Sequence, residues 1–317
     1  RQLDVIIGGP PCQAYSVAGR IRDEHGMRED YRNYLFESYL KVVQHYKPRV
    51  FVFENVPGIL SAKPGDVSVR IIDLIQKAFA DAGYAVLPDL SNAIIDMTEY
   101  GVPQNRKRII ILGVSKEHYG DKAEAMVEKF YSSYLPEYKI EKKATVRDAI
   151  GDLPKLRPLD EPISYLGRKL SHSVSDPLIN GHISRFHNKR DIELFKFLEE
   201  DIASGRMKYT SAKSLKTLYT KLTGKTSNVH KYYVLRWDEP SNLIPAHLFK
   251  DDLRHIHPVP EQARTNTVRE AARLQTFPDD YYFNCSQTDA FKMIGNAVPP
   301  LFAKKVAYAI YHLIQEN

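Results

Sequence analysis

The sequence predicts an α/β fold built on a doubly wound parallel sheet. Short, wholly apolar strands are predicted at residues 5–7, 50–53 and 109–114, and amphipathic helical stretches lie between them. Strands of a sheet that is covered on both faces are continuously apolar. Strands that alternate with helices form βαβ units, in which the strands are parallel.

The first strand runs into two glycines, two prolines and Cys12. Gly8 and Gly9 permit a sharp turn, and the prolines stiffen the chain that follows. This arrangement predicts a thiol at the carboxyl edge of the sheet, where open α/β folds bind their ligands. Because free cysteines are often buried as small apolar residues, a nucleophile and a packing residue both remain open on these residues alone.

Glu54 follows the second predicted strand directly. If the two strands are parallel, its carboxylate lies at the same edge as Cys12. Desolvation there would raise its pKa, so that it could hold or donate a proton near neutral pH. A solvated or helix-capping glutamate is the alternative, but a turn with Pro57 and Gly58 follows instead of a capped helix.

Two arginines, Arg106 and Arg108, precede the third predicted strand. In an extended segment they share one side, because side chains alternate. Guanidinium groups suit phosphate or a developing negative charge, since they form planar bidentate contacts. A solvated basic face is the alternative interpretation.

Composition limits the class of protein. The chain has 317 residues, a net charge of +6 and two cysteines, Cys12 and Cys285. This length allows one large domain and a smaller one. Without a cysteine–histidine cluster at zinc-like spacing, we expect no structural metal and a reducing compartment. No apolar run reaches the length of a membrane span and no signal-peptide pattern begins the chain, so we expect a soluble intracellular protein.

Positive charge is concentrated in residues 202–237, which contain eight lysines or arginines and no acidic residue. Lys208, Lys213 and Lys216 are among them, interleaved with serine, threonine and tyrosine. Such a surface neutralises phosphates and donates hydrogen bonds to them. A flexible lysine-rich loop is the alternative.

Five segments together resemble the cytosine-5 DNA methyltransferases, of the bacterial modification-methylase type. They are GGPPCQAYSVAG, Glu54-Asn55-Val56, Gln104-Asn105-Arg106-Lys107-Arg108, TVREAARLQTFPDDYYF and IGNAVPP, in the family's order between residues 8 and 300. Tyr15 stands where the family usually has Phe, and Ala297 where it usually has Ser. The family's F-x-G-x-G turn, which cradles S-adenosylmethionine, does not occur in the sequence.

The resemblance implies a role for each matching residue. Cys12 would be the nucleophile, Glu54 would bind the base, and Arg106 and Arg108 would stabilise charge around it. The resemblance also implies contacts with S-adenosylmethionine by Pro10, Leu35 and Asn296. Gln13 and Ser16 would contact the base or the DNA backbone. Lys208, Lys213 and Lys216 would contact DNA phosphates.

The implied fold is a doubly wound, Rossmann-like methyltransferase sheet, incomplete at the N-terminus, with a second, smaller target-recognition domain. The predicted catalytic domain is 1–155, completed by 286–317, and the recognition domain is 156–285. The implied partners are double-stranded DNA and either a missing N-terminal segment or a second polypeptide that completes the cofactor site. The expected location is the bacterial cytoplasm, on nucleoid DNA.

Three other functions stay open at this point. An RNA cytosine-5 methyltransferase would share the catalytic residues, although the basic region favours DNA. A DNA-binding subunit that is inactive without a partner would explain the missing cofactor turn. A cysteine hydrolase is disfavoured, because no motif places a histidine beside Cys12.

Overall fold

The computed structural model describes residues 3–10, 35–63, 69–175, 178–226, 228, 232–250 and 253–316. The chain divides into two compact units. The first comprises Arg1–Met97, Lys107–Lys139 and Lys304–Asn317; the second comprises Thr98–Arg106 and Ile140–Ala303. These units are defined by spatial proximity. The division into catalytic and target-recognition domains concerns function and stays a prediction.

The first unit is an α/β structure. Its strands are β1 (Val5–Gly8), β2 (Val50–Asn55), β3 (Tyr84–Ala85), β4 (Ile94–Asp96) and β5 (Lys107–Ser115). Its helices are α1 (Leu35–Tyr46), α2 (Ile71–Asp81), α3 (Lys116–Tyr119) and α4 (Lys122–Lys129). The three apolar strands and the two longer helices predicted from the sequence are therefore confirmed.

The sheet is mixed, with the strand order β1-β2-β5-β3 and with β4 also paired to β5. β1 and β2 are parallel, as predicted. The prediction of a wholly parallel sheet is wrong for β5, which runs antiparallel to β2, β3 and β4. A parallel connection needs a crossover of a dozen or more residues, usually a helix. Between the short strand β4 and β5 the chain has a 3₁₀ turn at Met97–Tyr100 and no crossover helix. β5 therefore runs antiparallel to β4.

Aromatic rings fill the core of the first unit. The rings of Phe51 and Phe79 lie 4.3 Å apart between centroids, and Tyr39 packs edge-on against Phe53 at 5.4 Å. The Tyr39 hydroxyl donates to the Val52 carbonyl at 2.9 Å, which ties α1 to β2. Gly113 on β5 leaves room for Phe51, because a Cβ atom there would lie 2.0 Å from the ring.

The second unit combines a hairpin with helices. The hairpin strands are β6 (Pro158–Tyr165) and β7 (Arg168–His172). The helices are α5 (Val146–Ile150), α6 (Lys189–Ala203), α7 (Ala212–Thr223), α8 (Val268–Leu274) and α9 (Gln287–Asn296), and α10 (Pro300–Gln315) begins here. Among the described helices, none has the length and apolarity that a bilayer span requires.

A buried ion pair lies at the start of α8. Thr267 and Glu270 form a capping box, and the Glu270 carboxylate also accepts hydrogen bonds from both terminal nitrogens of Arg264, each at 2.6 Å. Burial opposes ionisation of Glu270, yet the attraction to Arg264 prevails and holds its pKa below the ordinary value. The nearby His172 and His182 are buried and hydrogen-bonded to backbone carbonyls, so both are packing residues of this unit.

The pKa of Glu199 on α6 is shifted in the opposite direction to that of Glu270. Its side chain is fully buried in the second unit, beside the core formed by Phe195, Leu198 and their neighbours. Desolvation raises its pKa from 4.5 to about 9, and the attraction to Arg264 offsets only part of this rise. Glu199 is therefore protonated at neutral pH, whereas Glu270 is ionised.

We expect Glu199 to make the protein less stable as the pH rises from about 4.5 to 9. In that range the folded state keeps a proton that the unfolded state releases, so the free energy of unfolding falls with pH. The side chain of Glu199→Gln cannot ionise, so the free energy of unfolding of this variant should exceed that of wild type by about 3 kcal/mol at pH 7. Urea titrations at pH 5, 7 and 8.5 measure the difference.

The exposed neighbour Glu200 provides the control for this measurement. Glu200→Gln should leave the pH dependence of the unfolding free energy nearly unchanged. An equal pH slope in wild type and Glu199→Gln would show that Glu199 is ionised in the folded protein.

Candidate active site

The parallel pair β1 and β2 brings two sequence signatures to one edge of the sheet. Gly8 is in register with Phe53, so Gly9 lies beside Glu54. A Cβ atom on Gly9 would lie only 2.8 Å from the Glu54 Oε2. Glycine at this position therefore lets the chain leave β1 against the glutamate side chain.

The exit from β1 is also tied to β2 by a hydrogen bond. The Asn55 side-chain amide donates to the Pro10 carbonyl at 3.3 Å, and its oxygen accepts from the Val56 backbone N–H at 2.9 Å. Asn55 is buried, so its amide acts as a fixed link between the glycine-proline turn and the end of β2. Cys12, Gln13 and Ser16, which follow this turn, lie outside the described residues.

Arg108 meets Glu54 at the same edge. Its Nε lies 2.9 Å from the Glu54 Oε1, and the side chains are 12% and 20% exposed. The antiparallel register of β5 explains the meeting, because Glu54 is opposite Ile110 and the start of β5 lies at the end of β2. In a parallel strand, Arg108 would have stood at the other end of the sheet. The pair holds a carboxylate in a fixed, half-buried position.

Arg106 has different partners, within the second unit. It is 2% exposed, and its guanidinium donates to the carbonyls of Ala297 at 3.0 Å, Gly295 at 3.3 Å and Ile244 at 3.4 Å. Arg108 thus contacts a carboxylate, whereas these three acceptors of Arg106 are backbone carbonyls. A catalytic role for Arg106 stays a prediction.

The residues expected on the cofactor side are open to a ligand. Pro10 and Leu35 are half-buried, Leu35 as the first residue of α1, and Asn296 is exposed at the end of α9. An exposed amide on a fixed backbone offers polar contacts, and the two apolar side chains offer packing surface. Each of these side chains is of a type that suits an amphiphilic ligand such as S-adenosylmethionine, and their joint role in a cofactor site stays a prediction.

The basic stretch contains a helix that the sequence analysis did not predict. In α7 the apolar side chains of Leu215 and Leu218 are buried, while Lys213 is exposed and Lys216 half-buried. Lys208 is exposed in the turn before this helix, with its Nζ 5.4 Å from the ring centre of Tyr209. Lys213 therefore stands on the solvent side of a packed helix and Lys216 at its half-buried flank, which argues against a flexible lysine-rich loop.

Sequence reasoning missed Gln275 in the site region. Its side chain is buried and donates from Nε2 to the Ala297 carbonyl at 2.6 Å, the same oxygen that Arg106 contacts. The one signal in the sequence is that Gln275 lies in the TVREAARLQTFPDDYYF segment, which on its own residues indicates only a helix start.

Comparisons with curated proteins identify relatives along nearly the whole chain. The Type II methyltransferase M.Bpa9945I of Bacillus paralicheniformis is 37% identical over 336 residues, which cover 98% of this chain and 71% of that protein. The Type II methyltransferase M.AgeI of Thalassovita gelatinovora is 32% identical over 370 residues, covering 98% of this chain and 83% of that protein.

Two solved structures share the fold. One, described as a DNA modification methyltransferase encoded within a prophage of E. coli, has a TM-score of 0.58 at 23% identity and covers 99% of this chain and 80% of its own. The other, the S. pombe Dnmt2 methyltransferase, has a TM-score of 0.51 at 15% identity and covers 99% and 78%. These similarities confirm the predicted α/β methyltransferase fold.

A family model ties these similarities to the residues of the site. The model described as C-5 cytosine-specific DNA methylase matches residues 1–312, a span that contains the glycine-proline turn, Glu54, Arg108 and the Asn296 turn. The expected resemblance is thereby confirmed: the chain belongs to the C-5 cytosine-specific DNA methylases.

Proposed function

We propose that this DNA cytosine-5 methyltransferase attacks its base with Cys12 while the Glu54–Arg108 pair holds the base in place. The observation that carries the proposal is the 2.9 Å ion pair between Glu54 and Arg108 at the sheet edge where the Gly9–Pro10 turn also ends. In the sequence, Cys12 follows Pro10 by two residues. A nucleophile and a base-binding carboxylate would then face one pyrimidine ring.

The chemistry explains why both groups are needed. Carbon 5 of cytosine is too poor a nucleophile to take a methyl group unaided, and addition of the Cys12 thiolate at carbon 6 makes the ring an enamine. Only a few per cent of a free thiol is ionised at pH 7, so the site must favour the thiolate. S-adenosylmethionine supplies the electrophilic methyl group. Loss of the carbon 5 proton, with departure of the Cys12 sulfur from carbon 6, restores the aromatic ring.

Glu54 and Arg108 have distinct parts in this scheme. Glu54 binds ring nitrogen 3 and the exocyclic amine of cytosine, which favours attack at carbon 6. Arg108 holds the Glu54 carboxylate in place through Oε1 and stabilises charge around the base. Arg106 shares the second of these tasks with Arg108 in the proposal, and it also donates hydrogen bonds to backbone carbonyls of its own unit.

The substrate is a cytosine in duplex DNA, which is out of reach of a side chain until it leaves the base stack. The enzyme therefore flips the base into its site, as enzymes that act on bases do. Gln13 and Ser16 contact the flipped base or the adjoining backbone. Lys208, Lys213 and Lys216 bind phosphates, and the exposed lysines of the α7 region support this assignment. The target-recognition domain is 156–285, and residues 1–155 with 286–317 form the catalytic domain.

The cellular role follows from the relatives, which are named Type II methyltransferases of bacteria. We place the protein in a restriction-modification system, acting on nucleoid DNA in the bacterial cytoplasm. Methylation of its target sequence would protect the host DNA from a restriction enzyme of the same specificity.

Bisulfite sequencing of DNA from cells that express the complete gene tests the function. We expect one short sequence to become resistant to conversion at a single cytosine. Cys12→Ser should abolish this resistance, because a hydroxyl is far less ionised than a thiol at neutral pH. The variant should still bind duplex DNA that contains the target sequence, which gel-shift titration checks. Methylation by Cys12→Ser would refute the assignment of the nucleophile.

A further segment completes the cofactor site, either in sequence before residue 1 or in a second polypeptide. The first unit supports this, because β1 is at the edge of the described sheet. The backbone N–H and C=O groups on the outer side of an edge strand can pair with a further strand.

Calorimetry with S-adenosylmethionine tests this second part of the proposal. We expect residues 1–317 alone to bind the ligand at least about tenfold more weakly than the complete enzyme. The complete enzyme, measured in the same buffer, is the control for ligand and protein quality. Equally tight binding by residues 1–317 would show that the described chain holds the whole cofactor site.

A further inference from the structure

Three buried side chains converge on the turn that follows α9. Gln104 and Gln275 are fully buried and Arg106 nearly so, although all three are strongly polar. Buried polar groups are costly unless they are hydrogen-bonded. The partners of these side chains therefore indicate what the cluster, here called the Gln104–Arg106–Gln275 clamp, holds in place.

The Arg106 guanidinium donates hydrogen bonds to the backbone on both sides of Asn296. One terminal nitrogen, Nη2, donates to the Gly295 carbonyl at 3.3 Å and to the Ala297 carbonyl at 3.0 Å. The backbone before and after Asn296 is thereby held by one charged group. Hydrogen bonds from an ionised donor are about twice as strong as neutral ones, so this contact fixes the direction in which Asn296 leaves the helix.

Gln275 adds a second donor to the same oxygen. Its Nε2 lies 2.6 Å from the Ala297 carbonyl. Its Oε1 accepts a short hydrogen bond from the Gln104 Nε2, which fixes which end of the Gln275 amide faces the turn. The orientation of Gln275 thus depends on Gln104.

Gln104 is in turn fixed by the backbone. Its Nε2 also donates to the Leu274 carbonyl at 3.1 Å, and its Oε1 accepts from the Ile244 N–H at 3.0 Å. The turn is close-packed as well, since a Cβ atom on Gly295 would lie 2.3 Å from the Pro245 carbonyl oxygen. These contacts leave the Asn296 backbone little freedom, while the residue itself is exposed.

We propose that Gln275, oriented by Gln104 and acting with Arg106, is a positioning residue that sets the Asn296 side chain for S-adenosylmethionine. The inference rests on the proposed contact between Asn296 and the methyl donor. Gln275 does not touch the ligand: it acts through the Ala297 carbonyl. Arg106 belongs to this clamp through its hydrogen bonds to the Gly295 and Ala297 carbonyls.

A double-mutant cycle in the complete enzyme tests the clamp, with S-adenosylmethionine affinity measured by calorimetry. Gln275→Met keeps the length of the side chain but removes its donor, and we expect the dissociation constant to rise about tenfold. Asn296→Ala should cause a rise of at least this size. If Gln275 acts through Asn296, the double variant should be no worse than Asn296→Ala alone.

Two further readouts separate positioning from general damage. The affinity for the target duplex and the kcat at saturating S-adenosylmethionine should change less than twofold in Gln275→Met, while KM for S-adenosylmethionine rises. Gln104→Met should reproduce the loss, which keeps the proposal testable if one variant does not fold. Gln287→Met, at the far end of α9, is the matched control and should change none of these quantities.

Each outcome decides a different point. Additive losses in the cycle would refute the clamp while leaving the methyltransferase function intact. An unchanged affinity in Gln275→Met and Gln104→Met would refute it too. If wild-type complete enzyme neither binds S-adenosylmethionine nor methylates DNA, the proposed function fails and the clamp fails with it.

Discussion

One ion pair, between Glu54 at the end of β2 and Arg108 at the start of β5, organises the proposed active site. Two strands can bring these side chains together only if they are antiparallel, because the end of one must meet the start of the other. The mixed sheet is therefore what places a cation beside the carboxylate. Gly9 completes the arrangement by letting the β1 exit pass within van der Waals distance of Glu54.

In the second unit, side chains hold a turn in place by donating hydrogen bonds to backbone carbonyls. The Gln104–Arg106–Gln275 clamp directs a guanidinium and an amide at carbonyls of the Asn296 turn. The same unit keeps the Arg264–Glu270 pair ionised and Glu199 protonated in its interior. Local pairing, and not burial alone, decides which buried groups carry charge.

Much of this arrangement could be predicted from the sequence. Apolar strands, the helices after them and the capping box at Thr267 follow from local patterns, and the glycine-proline turn with Glu54 indicated a site at the sheet edge. The direction of β5 could not be predicted, because it depends on the short strands β3 and β4, which carry little pattern. The spacing of Arg106 and Arg108 suggests that they act alike, yet one donates to backbone carbonyls and the other pairs with a carboxylate, since strand β5 begins only at Lys107. Helix α6 was missed although Phe195 and Leu198 are three residues apart after an Asn188 cap.

The most direct measurement is covalent capture of the complete enzyme on duplex DNA with 5-fluorocytosine at the methylated position. Carbon 5 then carries fluorine in place of the proton whose loss releases Cys12, so an adduct should persist and map by mass spectrometry to Cys12. Its formation should slow roughly 100-fold in Arg108→Ala and Glu54→Gln, but not in Lys107→Ala, whose side chain is exposed. An adduct at another residue, or one formed equally fast without Arg108, would contradict the account.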